Sequence, residues 1–537
     1  MSGVSLIPQR AWVPAGDRAV VDVIGGAQVL EPTTVVVRHL GEAVSSHVPA
    51  ATVDLGVLPP GGYGVELVAQ SGVTVARTAI EVRRPGARRL RYGFVADYSP
   101  GRDVGPAALL ARRLHLTSVQ FYDWAYRHAD LLGGGEEYAD ALAQPVALET
   151  VRRLIAAFRH VGVESLGYAA VYAVGRDEWP RWSDLALVTP DGSPHGLGGF
   201  LSLVDPAAPR WLDHFSSDLQ SARRLGFDGF HLDQYGSPKA AARPDGAIVD
   251  LAQAFGALVN HVRAEQPDAC LVFNNVNGFP VWASTSWPQD AVYIEPWAPQ
   301  TTLGSLAALV VDARSRSDLP IVVAAYQSLY SRAPARVADR AAQLTMATLF
   351  SHGATQLLAG ESGHLLVDPY YVHNHPMDSL TRDLLVRWYD FLVEHDELLA
   401  EPSCVDVTAC TAGPYNDDIV VSGEGVTVST RPEARTVWQR NVRVGGRLVV
   451  HLINLVDQVD TFWDEPRAEH RSVAGLVVRI RRIAGQEVRV SVADPDGGVC
   501  LVAATVMPDT DPDHVRVALP DLSAWLVAVV VMEPAPA

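Results

Sequence analysis

GFDGFHLDQYG, residues Gly226 to Gly236, joins a core-strand pattern to a polar end. Phe227, Phe230 and Leu232 are residues that pack, whereas His231, Asp233, Gln234 and Tyr235 bind ligands, and this second group gathers at the finish. An apolar strand that terminates in an acid, an amide and a phenol is what a parallel barrel offers at the C-terminal mouth of its strands, where such folds keep their chemistry. Asp228 lies at the other end of the run, where a turn or capping role is expected.

Similar arrangements recur between residues 89 and 402, where eight short apolar segments alternate with longer helical patterns. The segments are LRYGFVADY, TSVQFYDW, SLGYAAVYAV, GFDGFHLDQ, CLVFNNVNG, DAVYIEPW, IVVAAYQS and TQLLAGES. Between them, 147 to 162 and 248 to 267 carry Leu, Val and Ile near helical spacing, the second ending at a Pro. Eight strand and helix units predict a central (β/α)8 barrel, a TIM barrel. Residues 1–88 alternate apolar and polar positions in about seven short runs broken by Gly, Pro and Asp, which predicts an immunoglobulin-like antiparallel β-sandwich. Residues 403–537 return to that rhythm and predict a second β-sandwich. The expected plan is multidomain, a barrel flanked by two β-sandwiches, without internal repeats.

The strand ends supply the candidate site. They include Asp97 and Tyr98; Tyr122, Asp123 and Trp124; Tyr168 and Tyr172; His231, Asp233, Gln234 and Tyr235; Asn274, Asn275 and Asn277; Glu295 and Trp297; Tyr326 and Gln327; and, after the eighth strand, Glu361 and Tyr371. Carboxylates, amides and aromatic rings crowded at one mouth suit pyranose recognition, because hydroxyls need paired donors and acceptors while sugar faces stack on rings. Glycoside cleavage needs two carboxyls flanking the scissile bond, and Asp233 and Glu295, ending strands four and six, are the natural pair. Glu295 stands between Ile294 and Pro296, a partly apolar setting that keeps a carboxyl protonated as a general acid requires. Asp97 and Asp123 are read as ligands for hydroxyls or as orienters of neighbouring side chains, with structural roles equally open. The rest of the expected substrate-binding set is Tyr98, Tyr122, Trp124, Tyr172, His231, Gln234, Tyr235, Asn275, Asn277, Trp297, Tyr326, Glu361 and Tyr371.

Other chemistries are disfavoured. GESGH, 360 to 364, departs from the G-x-S-x-G pattern of a serine hydrolase. VHNHP, 372 to 376, offers His without a metal-binding companion motif, so no metal is assigned. No phosphate-cradling Gly-rich loop follows a strand, and no cofactor is expected. A formal charge of −18 without a basic stripe argues against nucleic acid, and no apolar run reaches the length of a membrane span. The N-terminus lacks a secretory pattern, and four cysteines match neither a disulfide framework nor paired zinc spacing, so a cytoplasmic location is expected. A Cys404 to Cys410 bridge stays open, and the oligomeric state is not legible.

Several of these stretches resemble glycoside hydrolase family 66, the dextranases and cycloisomaltooligosaccharide glucanotransferases: RYGFVADY, SVQFYDWAYRHADLL, GFDGFHLDQYG, VFNNVNGF, YIEPW and GATQLLAGESGHLLVDPYYVHNHPM, with HLINL and TFWDEPR further on. The resemblance implies a retaining mechanism on α-1,6-glucosidic bonds in dextran or isomaltooligosaccharides, with Asp233 as nucleophile of a covalent glycosyl-enzyme intermediate and Glu295 as acid and base. Retention implies carboxyls about 5–5.5 Å apart, against about 6.5–9.5 Å for inversion. Hydrolysis is the leading expectation and a cytoplasmic setting points to short chains. Transglycosylation within the same family and a carbohydrate-binding protein without turnover are the alternatives.

Overall fold

The computed structural model describes residues 3–25, 32–469, 471–483 and 485–534. The outermost residues of the first and last predicted units, 1–2 and 535–537, lie outside these.

Eight parallel strands form one sheet, hydrogen-bonded to each other in chain order: Tyr92–Val95, Ser118–Phe121, Glu164–Ala170, Gly229–Asp233, Cys270–Val276, Ala291–Glu295, Ile321–Val323 and Ala354–Gln356. Each coincides with one of the eight segments read from the sequence, two of them beginning one residue earlier, at Glu164 and Ala354. Apolar residues drive them together: Val119, Leu166, Phe230, Leu271, Val292 and Val322 are all buried in one continuous core with the surrounding helices. The sheet curls into a nearly closed barrel, and its seam is joined differently from the rest. Thr355 donates its hydroxyl to the Leu90 carbonyl at 2.6 Å, and the Glu361 N–H donates to the Phe94 carbonyl at 2.7 Å. Gly360 permits this approach, since a Cβ there would stand 2.3 Å from the Phe94 carbonyl oxygen.

The helices follow the expected pattern with local shifts. Helix Leu148–His160 occupies its predicted place. The segment predicted as helix from 248 begins instead as strand Ile248–Asp250, paired with Ala240–Ala242, because β-branched Ile248 and Val249 follow a Pro-Asp-Gly turn. Asp250 then caps helix Leu251–Glu265 by accepting the Ala252 and Gln253 N–H groups.

Antiparallel sheets flank the barrel. The N-terminal part pairs Ser5–Pro8, Arg18–Ile24 and Thr52–Val57 in one sheet and places Thr33–His39, Gly61–Ala69 and Thr74–Arg83 in another, with Val21, Val35 and Val65 fully buried between them. It docks on the last barrel helix, Ser379–Glu394, through an ion pair of Arg77 with Glu394. The C-terminal part contains a seven-stranded and a four-stranded sheet, around Val450, Leu452, Val478, Ile480 and Leu526. Trp388 and Gln343 of the barrel both donate to the Asp496 carboxylate, at 3.1 Å and 2.9 Å, fastening the two parts together. Cys404 and Cys410 are both free thiols. Among the described residues no helix is long and apolar enough to cross a membrane.

Glu361 is placed in this seam and away from the barrel cavity. Its buried carboxylate accepts the Ala96 and Asp97 N–H groups and pairs with Arg102, which also donates to the Asp97 carbonyl. Breaking such a buried pair typically costs about 3–5 kcal/mol. Glu361→Ala is therefore expected to lower the thermal midpoint by several degrees, and a variant that melts with the wild type would free the seam from this residue.

Candidate active site

A cavity of about 520 Å³ opens at the C-terminal ends of the strands, the size of an ordinary small-ligand pocket. Two carboxylates meet in it. Asp233 ends the fourth strand and Glu295 the sixth, and Asn274 on the intervening fifth strand reaches both. The register explains the meeting: Leu232 pairs with Phe273 and Val276 with Glu295, so Asn274 lies one step up from the first contact and below the second. Its Nδ2 donates to Asp233 Oδ1 at 2.7 Å and to Glu295 Oε2 at 2.8 Å. These two oxygens therefore lie no farther apart than those two bonds laid end to end. That bound on the facing oxygens is in keeping with the about 5–5.5 Å of a retaining pair.

Each carboxylate accepts one further phenol. Tyr168 donates to Asp233 Oδ2 at 2.8 Å and Tyr326 to Glu295 Oε1 at 3.0 Å. Burial, together with the facing acid, holds both phenols well above their ordinary pKa, so they are fixed donors. Burial also pushes the carboxyls up, Asp233 to about 6 and Glu295 to about 7, with the charge of Asp233 adding to the rise at Glu295 and the hydrogen bonds opposing it. Two like charges this close resist joint ionisation, and the pair holds one proton over a pH interval. The two carboxyls have matching sets of donors, and the charge of Asp233 adds to the rise only at Glu295, which favours the proton there. An anion and an acid side by side make a nucleophile and a proton donor.

Aromatic rings form the surrounding wall. Tyr122 stacks on Tyr371 with centroids 4.3 Å apart, and the Tyr371 and Tyr293 hydroxyls meet at 3.2 Å. His231 lies between Tyr168 and Tyr92 and meets Tyr293 edge-on at 4.6 Å; burial lowers its pKa to about 3, leaving a neutral ring. Asp123 lines the cavity on a left-handed backbone, φ 44°, and burial with the nearby Asp140 and Asp233 raises its pKa to about 8. It is an uncharged acid at neutral pH, able to donate as well as accept.

Of the predicted contacts, Tyr122, Asp123, His231, Asp233, Gln234, Tyr235, Asn277, Glu295, Trp297, Tyr326 and Tyr371 line this cavity. Six others are placed elsewhere. Trp124 is fully buried and donates to the Tyr168 carbonyl, while the Tyr98 hydroxyl donates to the Val95 and Tyr122 carbonyls. Tyr172 donates to the Ser237 carbonyl and accepts from the Tyr235 N–H. The Asn275 amide serves the Phe273 and Tyr293 carbonyls and accepts from Ser284. Asp97 caps a turn by accepting the Ser99 N–H, and Glu361 stays in the seam. All six are strand-end polar groups that satisfy backbone instead of facing the cavity. Asp228, at the opposite end of its strand, accepts the Ser165 N–H of the neighbouring strand and pairs with Arg159 at 3.5 Å, so it ties adjacent elements together instead of capping a turn.

The cavity also holds residues that were not singled out. Gln120 and Tyr293 lie mid-strand, and His128 and Phe200 come from loops. Lys239, the only lysine in the chain, stands at the rim with its ammonium 5.2 Å from the Phe279 ring centre. Its rarity among 43 cationic residues was the one signal in the sequence that could have marked it.

A family model for glycosyl hydrolase family 66 matches residues 27–529. Two cycloisomaltooligosaccharide glucanotransferases from Niallia circulans are each 25% identical, one over 324 residues, 55% of this chain and 33% of the relative, the other over 346 residues, 57% and 36%. The match thus spans about a third of the length of these curated relatives. Among solved structures, a Paenibacillus sp. cycloisomaltooligosaccharide glucanotransferase complexed with cycloisomaltoheptaose superimposes with a TM-score of 0.85 over 98% of this chain and 100% of that chain, at 17% identity. An α-amylase from Geobacillus thermoleovorans complexed with acarbose gives 0.51 over 83% and 99%, at 11% identity. At these identities the structural likenesses establish the fold.

The hydrogen bond from Tyr326 stabilises the anion of Glu295, so its removal raises the Glu295 pKa further. If Glu295 acts as the acid, Tyr326→Phe is expected to move the alkaline limb of the kcat/KM profile upward by about one pH unit, the worth of one hydrogen bond to a charged group. A limb that stays in place would detach it from Glu295.

Proposed function

The chain belongs to glycosyl hydrolase family 66 and is a glycosidase-type enzyme, and from that premise we propose that it cleaves α-1,6-glucosidic bonds with retention and passes the glucosyl chain to an acceptor sugar. The observation that carries the retaining reading is the single amide nitrogen of Asn274 that both carboxylates share.

In the first step Asp233 attacks the anomeric carbon, the bond from that carbon to the glycosidic oxygen breaks, and the departing oxygen takes the proton from Glu295. A β-glycosyl ester on Asp233 results. In the second, Glu295, now an anion, removes the proton of an incoming hydroxyl, whose oxygen bonds to the same carbon as the Asp233 carboxylate leaves. The α configuration is restored, Glu295 has its proton back, and the charges balance. Tyr168 and Asn274 hold Asp233 in place for attack and accept its return as an anion. Asp123, neutral in its buried place, is suited to bind a hydroxyl of the retained sugar.

Water and a sugar hydroxyl compete for the second step. The sequence alone put hydrolysis first, whereas both Niallia circulans relatives are named as glucanotransferases, which supports transfer. The tyrosine-lined, largely apolar wall supports it as well, because it favours a stacked sugar over free water. The acceptor and donor of this reading are isomaltooligosaccharides. Both carboxyls stand in working relation, which weighs against a binding protein without turnover.

Asp233→Asn and Glu295→Gln are each expected to lower turnover of isomaltooligosaccharides by a factor of about 10³ or more. Azide added to Asp233→Ala should yield the β-glucosyl azide and to Glu295→Ala the α-glucosyl azide, and the reverse pattern would exchange their roles. Lengthened or cyclic products mark transfer, and free reducing sugar alone would return the reading to hydrolysis. The pH profile of kcat/KM should be bell-shaped with its maximum between about 6 and 7. Activity rises as Asp233 loses its proton and falls as Glu295 loses its own. Activity constant from pH 5 to pH 9 would contradict the shared-proton assignment.

A further inference from the structure

Beside the catalytic cavity lies a second depression, a groove of about 750 Å³. Trp297, Tyr326 and Pro369 line both, so the two spaces adjoin. The far wall of the groove comes from the C-terminal part of the chain, the segment from Asp460 to Pro466. This segment belongs to a long connection between strands Arg447–Asn454 and Val477–Arg481, and long connections without secondary structure are uncommon in compact domains unless they serve a purpose.

The connection is fastened to the barrel rim. Leu303 N–H donates to the Thr461 carbonyl at 2.8 Å, Trp463 donates its N–H to Thr301 and its indole N–H to Gln300, and Asp464 accepts from the Ser328 hydroxyl and the Leu329 N–H. Buried Arg467 holds the Asp460 carboxylate at 2.6 Å. One aromatic side chain is left out of this fastening. Phe462 is 43% exposed on the groove, and Trp297 across the junction is 41% exposed. Asp368, Asp460 and Glu465 add carboxylates to the same lining. Exposed ring faces interleaved with hydrogen-bond acceptors are the chemistry of a sugar chain, and the loop geometry fixes those rings in advance of binding.

Direction follows from the acid. Glu295 is followed at once by Pro296, Trp297 and Ala298, all of which line the groove. The proton donor must stand beside the oxygen that departs, so the freed end of the chain leaves on the side of Glu295. The retained sugar then occupies the other end, past Asp233 toward Asp123 and Phe200. The geometry points to the groove as the binding site for the leaving and acceptor ends of the α-glucan, with the first sugars beyond the cleaved bond running from Trp297 toward Phe462. This assignment rests on the roles proposed above for Asp233 and Glu295.

Phe462→Ala and Phe462→Trp test it. Isomaltooligosaccharides extended beyond the cleaved bond should lose about five-fold or more in kcat/KM through KM with the Ala variant, the worth of one lost ring face. The loss should shrink when the leaving group is a nitrophenol that ends at the bond, and Phe462→Trp should restore the long substrates. Equal losses for long and short leaving groups, or none, would overturn the groove. Binding of isomaltotriose to the Asp233→Asn protein, with and without Phe462→Ala, is read by saturation-transfer NMR and needs no turnover. Should the wild type leave every α-1,6-glucoside intact, the proposed function falls and this titration alone decides: weaker binding in the double variant keeps the groove as a sugar site, and equal binding removes it.

Discussion

Two carboxyls, Glu295 buried and Asp233 half-buried, held by one amide nitrogen impose the constraint on which the rest of the site depends. Asp233 and Glu295 share Asn274, and at that distance in a ring-lined cavity they resist being charged together. The arrangement is stable as one anion and one acid. Tyr168 and Tyr326 each donate to one partner, which keeps both pKa values from rising further. The proposed division into nucleophile and acid rests on how closely three adjacent strands bring three polar side chains.

That closeness depends in turn on the barrel remaining shut. Consecutive parallel strands fix the register by ladder hydrogen bonds, whereas the last and first strands meet through separate contacts, the Thr355 hydroxyl on the Leu90 carbonyl and those around Gly360 and Glu361. The Glu361 carboxylate, clamped by Arg102 and two backbone N–H groups, joins the mouth there. A residue that looks in sequence like one more acid at a strand end is committed to holding the ring of strands in shape.

Sequence reasoning located the strand ends and could not tell which way each side chain turned. Asn274 and Asn275 are neighbours, yet alternation along the strand sends one to the carboxyl pair and the other to the Phe273 and Tyr293 carbonyls. His231 and Asp233 share a face by the same alternation, with Leu232 opposed. After the second strand the rule fails. Asp123 takes a left-handed conformation, so Tyr122 and Asp123 both reach the cavity while Trp124 folds back beneath Tyr168. Tyr98 and Tyr172 were indistinguishable in composition from Tyr168, and their hydroxyls serve carbonyls of the wall.

The amino-acid sequence by itself determined the eight strand and helix units, the antiparallel rhythm on either side, and the acids delivered by the fourth and sixth strands, because these follow from local periodicity and from where an apolar run stops. Tertiary structure decided that Asn274 bridges those acids, that burial raises both of their pKa values, and that a loop from beyond residue 450 walls a groove beside them. Protonation depends on how much water the assembled wall excludes and on charges brought close by folding. Neither quantity exists until strands distant in the chain have met.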